Sequence, residues 1–181
     1  MTSLGFRRFE ATNLSHFELL SGHAVEISTD YRLFSLNSQA LLAWQELGAT
    51  AATLYIEDDA ENMAELLAAD VSIKRRVIAY CGVPAITSKI RIKDVRSDVP
   101  VVSDRNDGYM VTNRDGLTVV TPNVMFSLTA FKGKLKEMGC SSFILDLSQI
   151  SSADYGRIIN AFDRGVELNG TSDFNFNRGL V

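Results

Sequence analysis

The stretch Gln45-Glu46-Leu47-Gly48, followed by the run Thr50 to Ile56 and then Glu57, decides the fold class. Ahead of it Ala40, Trp44 and Leu47 recur on one helical stripe, and Gly48 supplies the residue on which helices commonly stop. Asn37 and Ser38, favourable N-cap residues, open that helix. Behind the glycine, Thr50 to Ile56 is apolar almost without interruption. A strand with one wet face alternates, whereas a continuous run suits a parallel strand covered on both faces. The same unit returns later in the chain. Lys136-Glu137-Met138-Gly139 precedes a buried strand over Ser142 to Leu147, and Asp146 ends it as Glu57 ends the first.

Outward from this unit the pattern of strand then helix continues. Gly5 to Asn13 reads as a strand and Leu14 to Leu20 as a short helix, with His16 exposed or capping. Ala24 to Leu36 is rich in β-branched and aromatic residues and predicts extended structure. Asp58 with Glu61 resembles a capping box for a helix whose Met63, Leu66 and Leu67 share one side. Arg76 to Cys81 is a further strand that breaks at Gly82 and Pro84. Lys74, Arg75 and Arg76 read as a solvated helix-to-strand junction.

Between Pro84 and Pro122 the helical period vanishes. Val99 to Val102, Tyr109 to Thr112 and Leu117 to Thr121 are short β-like pieces punctuated by Asp107-Gly108 and Asp115-Gly116, which predicts hairpins over 85–122 inserted into the α/β layout. Helical stripes resume with Leu128, Phe131, Leu135 and Met138, and again with Tyr155, Ile158, Ile159 and Phe162. Parallel strands joined by right-handed crossovers close into a barrel or spread into an open sheet. About five such strands are counted, fewer than a whole barrel needs. The expectation is a single α/β domain over 1–181, a partial or distorted TIM-like (β/α) barrel with an inserted β-hairpin region.

Composition narrows the function classes. A chain of 181 residues, 46% hydrophobic and 22% charged, can bury a core and is not of the disordered type. Its formal charge of −4 provides no global basic field, so nucleic acid is not expected as a partner. Cys81 and Cys140 lie far apart without metal-ligand spacing, which predicts reduced thiols, no metal site and a cytoplasmic location. No apolar stretch approaches a membrane span, and residues 1–25 lack the h-region of a signal peptide. No GxSxG, P-loop, GxGxxG or HExxH is present.

Several strings resemble the collagenase-like peptidase family. They are Asp30-Tyr31-Arg32-Leu33 with Leu36-Asn37-Ser38-Gln39-Ala40, Tyr80-Cys81-Gly82-Val83-Pro84, Asn123 to Leu128, the strand ending Asp146-Leu147, and Asn175-Phe176-Asn177-Arg178-Gly179. The resemblance runs over most of the chain but corresponds to the later part of that family's barrel-like domain, so the chain is expected to be a fragment of a larger domain, with a missing N-terminal half-domain or a homo-oligomeric partner completing it. It implies a peptidase acting on unfolded protein. Relatives take part in RNA or quinone-precursor hydroxylation, some with a cysteine-held iron-sulfur cluster. This chain has Ile86-Thr87-Ser88-Lys89-Ile90-Arg91 where family members usually carry cysteines, and two scattered thiols cannot supply a cluster, so no cofactor is expected.

If the strands belong to a barrel, functional groups gather at their C-terminal ends. That nominates Glu57 and Asp146 as general acid/base groups, and Asn13, Asn37, Tyr80 and Arg91 as substrate-binding groups. Each has an ordinary structural reading beside the functional one. Carboxylates are favoured at helix starts, Asn is among the best N-caps, and Arg91 can be one charged position of a hairpin. Three function classes follow, the first two being a peptidase-like enzyme acting through Glu57 and Asp146 and a non-catalytic binding module that kept the scaffold. A partner subunit of a modifying assembly is a third.

Overall fold

The computed structural model describes residues 2–179 apart from 94, 97, 98 and 149. Its elements in chain order are β1 (Arg8–Ala11), α1 (Ser15–Leu20), β2 (Glu26–Thr29), α2 (Ser38–Glu46), β3 (Ala49–Thr53), α3 (Ala60–Ala68), β4 (Lys74–Cys81), β5 (Ile86–Ser88), β6 (Val101–Val102), β7 (Gly108–Arg114), β8 (Leu117–Pro122), β9 (Met125–Ser127), α4 (Lys132–Glu137), β10 (Phe143–Leu145), α5 (Ser152–Arg164) and β11 (Thr171–Ser172). This is a mixed α/β chain with a parallel-rich sheet, and the described strands close no barrel. It divides into two units, one of residues 1–79, 131–144 and 173–181, the other of residues 80–130 and 145–172. Among the described residues no helix is long and apolar enough to cross a membrane.

In the first unit β1, β2, β3 and β4 pair in sequence order, every pair parallel. Neighbouring strands in unbroken order, linked by right-handed crossovers, put their connecting helices on one face. That face is the core. Phe17 of α1, Leu41 and Trp44 of α2, and Met63, Leu66 and Leu67 of α3 are buried, and the Phe17 and Trp44 rings stack at 6.2 Å. The two glycine stops read from the sequence are both present. Gly48 and Gly139 adopt φ of +90° and +100°, and each amide donates to the carbonyl three residues back, Gln45 or Lys136, at 3.0 Å. Only a residue without Cβ takes that conformation cheaply.

In the second unit β5, β8, β7 and β6 form an antiparallel sheet in that order, the hairpin region expected over 85–122. Asp115 and Gly116, at φ +52° and +78°, make the tight turn between β7 and β8. Gly108 plays a different part from the expected turn. The reversal lies over Ser103 to Asp107, where the Ser103 hydroxyl accepts from the Arg105 and Asp107 amides. Gly108 opens β7, where a Cβ would stand 2.5 Å from Asn123 Nδ2. The last residues of β4, Tyr80 and Cys81, pair antiparallel with β9, and β9 pairs parallel with β11. α5 starts at the Ser151 cap and buries Ile158 and Ala161 against Tyr80 and Leu168.

Two local expectations differ from the structure. The extended stretch expected over Ala24 to Leu36 ends at Thr29, because the Asp30 carboxylate accepts the Arg32 amide and winds Tyr31–Leu33 into a 3-10 turn. The capping box expected at Asp58 and Glu61 sits one residue later. Asp59 caps α3 by accepting the amides of Glu61 and Asn62, while Asp58 turns inward. Helical spacing locates the turn but not which of two adjacent aspartates faces it.

Candidate functional site

In the first unit the chain leaving β2 carries Asp30, 6% exposed, whose carboxylate binds the Arg32 guanidinium through two bonds of 2.7 and 3.0 Å. That pairing, foremost, holds the Arg32 pKa above its ordinary value. Phe34 then takes φ +54°, a conformation costly to a side chain with a Cβ. It is held there from both sides, its amide donating to Tyr31 O at 3.0 Å and its carbonyl accepting from Leu36 N at 2.9 Å. Ser35 bridges to Leu54 in parallel sense, and its hydroxyl accepts the Trp44 indole N–H at 3.1 Å. The consequence is an exposed Phe34 ring lying 5.0 Å from the Tyr55 ring, tilted 38°.

Tyr55 donates its hydroxyl to Glu57 Oε2 at 3.3 Å. Burial, then the charge and bond of Glu57, push the Tyr55 pKa up, so the phenol stays protonated and keeps donating. The Glu57 carboxylate is exposed and its backbone carbonyl accepts Asn175 Nδ2 at 3.0 Å. Next to it Asp58 is 1% exposed. Burial pushes its carboxyl up, against the bonds from Asn62 Nδ2 and the Asp59 amide that favour the charged form.

The nominated residues fall as follows. Asn13 Oδ1 accepts the amide and hydroxyl of Ser15 at the start of α1. Asn37 Oδ1 accepts Ala40 N at 2.8 Å as the N-cap of α2. Asp146, in the second unit, accepts Ser148 N at 3.0 Å, and its own amide donates to Tyr80 O at 2.8 Å, so the backbone joins these two nominees. The Tyr80 side chain lies in the core with Ile158, Ala161 and Leu168, and burial pushes its hydroxyl pKa up. Arg91 is exposed beyond β5. Glu57 belongs to the first unit and keeps company with Tyr55. His16, read as exposed or capping, accepts the Thr12 amide through Nδ1 at 3.2 Å. Cys81 and Cys140 are buried and not joined in a disulfide, and among the described residues no group of three or more His, Cys, Asp or Glu is placed to hold a metal ion.

The strand face away from the helices carries a cleft of about 720 Å³ in the first unit, lined among others by Arg8, Glu10, Glu26, Lys74 and Arg76. Its charges largely answer one another. Arg8 pairs with Glu26 at 3.0 Å, and Arg76 Nη2 meets Glu10 Oε1 and Thr53 Oγ1, each at 2.7 Å, and Thr29 O at 3.1 Å. Arg75 points the other way and donates to the carbonyls of Leu67, Val71 and Ile73 behind α3. The solvated junction expected of Lys74 to Arg76 therefore describes only Lys74, which is exposed; Arg75 and Arg76 are half-buried, the first spent on backbone carbonyls and the second a cross-strand tie that its neighbours in sequence did not announce. Phe34 and Tyr55 were also missed, and Asp58 was read as a cap. A left-handed Phe and an inward Asp leave no periodic trace.

No family model matches the chain, and no match is found among curated proteins or solved structures.

Proposed function

We propose that this chain is a divergent domain of collagenase-like peptidase type, built on part of a (β/α) barrel, that binds segments of unfolded polypeptide without cleaving them. The observation that carries the reading is the employment of the polar side chains at the strand ends. Asn13, Asn37 and Asp146 each hold a local backbone N–H, Asn37 as the N-cap of α2 and the other two in turns two residues long, bonds that serve the local fold rather than a substrate. The sequential parallel order of β1 to β4 supports the barrel part of the reading. The cysteines replaced by Ile86 to Arg91 support loss of the chemistry of some relatives.

The test is titration of the full chain into fluorescein-labelled denatured collagen peptides, read by polarisation, with mass spectrometry of the peptides after long incubation. Saturable binding with intact peptides is expected. Hydrolysis that disappears in Glu57→Gln or Asp146→Asn would overturn the binding reading and make the chain a peptidase.

A further inference from the structure

The geometry points to a seat for the guanidinium or ammonium group of a bound peptide, formed by the Glu57 carboxylate beside the Phe34 and Tyr55 rings; this rests on the peptide-binding reading above. Three separate features make it a built site. First, Phe34 is 56% exposed, yet its backbone is held at φ +54° by hydrogen bonds on both sides. Strain of that kind is retained where the surroundings over-determine it, and the side chain it displays here is an aromatic ring in water. Second, Tyr55 is fixed against Phe34 and aims its hydroxyl at Glu57, so the carboxylate stands at the end of an aromatic surface rather than at large in solvent. Third, the Glu57 backbone is tied by Asn175 from the far end of the chain.

Two cations that flank the seat are engaged elsewhere. Arg32, two residues before Phe34, is held by Asp30 and lies over the Tyr31 ring at 5.5 Å, and Lys134 lies over the ring of Phe176, the neighbour of Asn175, at 5.1 Å. Asp58 and Asp59 next to Glu57 are occupied with Asn62 and the α3 amides, so Glu57 is the carboxylate facing outward. Its Oε2 shares one bond with Tyr55, and a carboxylate accepts several. A planar guanidinium suits both halves, stacking on a ring while donating to a carboxylate.

The experiment compares two labelled peptides of unfolded type, identical except that one carries arginine and the other citrulline, its uncharged isostere, in titrations of the whole chain. We expect roughly tenfold tighter binding of the arginine peptide, lost in Glu57→Gln and reduced in Phe34→Leu, which keeps an apolar body but removes the ring. Equal binding of the two peptides, or an arginine preference that survives Glu57→Gln, overturns the seat while leaving peptide binding intact. Binding of neither peptide overturns both readings.

Discussion

Asn62 Nδ2 lies 2.9 and 2.7 Å from the two carboxylate oxygens of Asp58 and 3.1 Å from the carbonyl of Leu36, so one amide group ties the segment after β3 to the segment after β2. Asp58 is buried, and desolvation raises its folded pKa above the unfolded value. Between an ordinary aspartate value near about 4 and that raised value, the folded state binds more protons than the unfolded one. Stability therefore falls as pH rises through this window. Urea unfolding from acid to neutral pH should show this slope in the wild type and its loss in Asp58→Asn; a slope unchanged by the substitution would contradict it. Asn62→Ala should cost about 1–3 kcal/mol, with the larger loss at neutral pH, where the charged carboxylate is left without its amide.

The thiols give a second prediction. Cys140 is 3% exposed and donates to Ser142 O at 3.4 Å, and burial pushes its pKa up; Cys81 is 3% exposed in β4. The thiolate is the reactive form, so both should resist an aromatic disulfide reagent at mildly alkaline pH and react together on unfolding. Rapid titration of either thiol in the folded chain would show that its segment opens locally.

How much of this could be read beforehand depended on whether the signal was periodic. The helix before Gly48 and the strand after it were legible, because a stripe, an Asn cap and a glycine stop all act within a few residues. The Asp115-Gly116 turn was legible for the same reason. β9 and β11, of three and two residues, were not, since their pairing with each other is made by partners far off in the chain. At the site the sequence pointed to the end of β3 and to Glu57, but the partners of Glu57 come from Tyr55, Phe34 and Asn175, brought in by a backbone reversal and by a contact over more than a hundred residues. Tyr80 shows the opposite case. A strand-end tyrosine suggested a substrate contact, and its side chain lies in a core completed by α5.

Arg76 supports a third prediction. Its guanidinium joins Glu10 of β1, the Thr29 carbonyl of β2 and Thr53 of β3, reaching across the sheet from β4. Arg76→Ala should destabilise the chain by about 1.5–3 kcal/mol, the range for hydrogen bonds to charged groups. Glu10→Gln should cost less than about 1 kcal/mol, because the Glu10 side chain is 47% exposed and solvent screens the pair. Chemical denaturation of both variants checks the ordering, and a larger loss for Glu10→Gln would mean that the ion pair, and not the bonds to Thr53 and Thr29, holds the strands.

Glycines of two kinds allow a prediction in which the sign of the effect depends on backbone conformation alone. At Gly48 a Cβ would meet nothing within 4 Å, and at Gly139 its nearest neighbour would be Leu67 O at 3.6 Å, an ordinary contact. Alanine fits the space at both, so any cost arises from φ of +90° and +100°. Each Gly→Ala change there should destabilise by roughly 1–2 kcal/mol, the penalty of left-handed backbone for a residue with a Cβ. Gly133 in α4 and Gly156 in α5 also have open space, but they are helical, with no positive φ. Alanine at those positions should stabilise by up to about 1 kcal/mol, because glycine is the weaker helix former. Thermal melts of the four single variants decide the matter. Lower midpoints for 48 and 139 with higher ones for 133 and 156 are expected. A Gly139→Ala variant as stable as the wild type would mean that the turn between α4 and β10 relaxes to negative φ, and the repeated helix, glycine and strand unit would lose its physical basis.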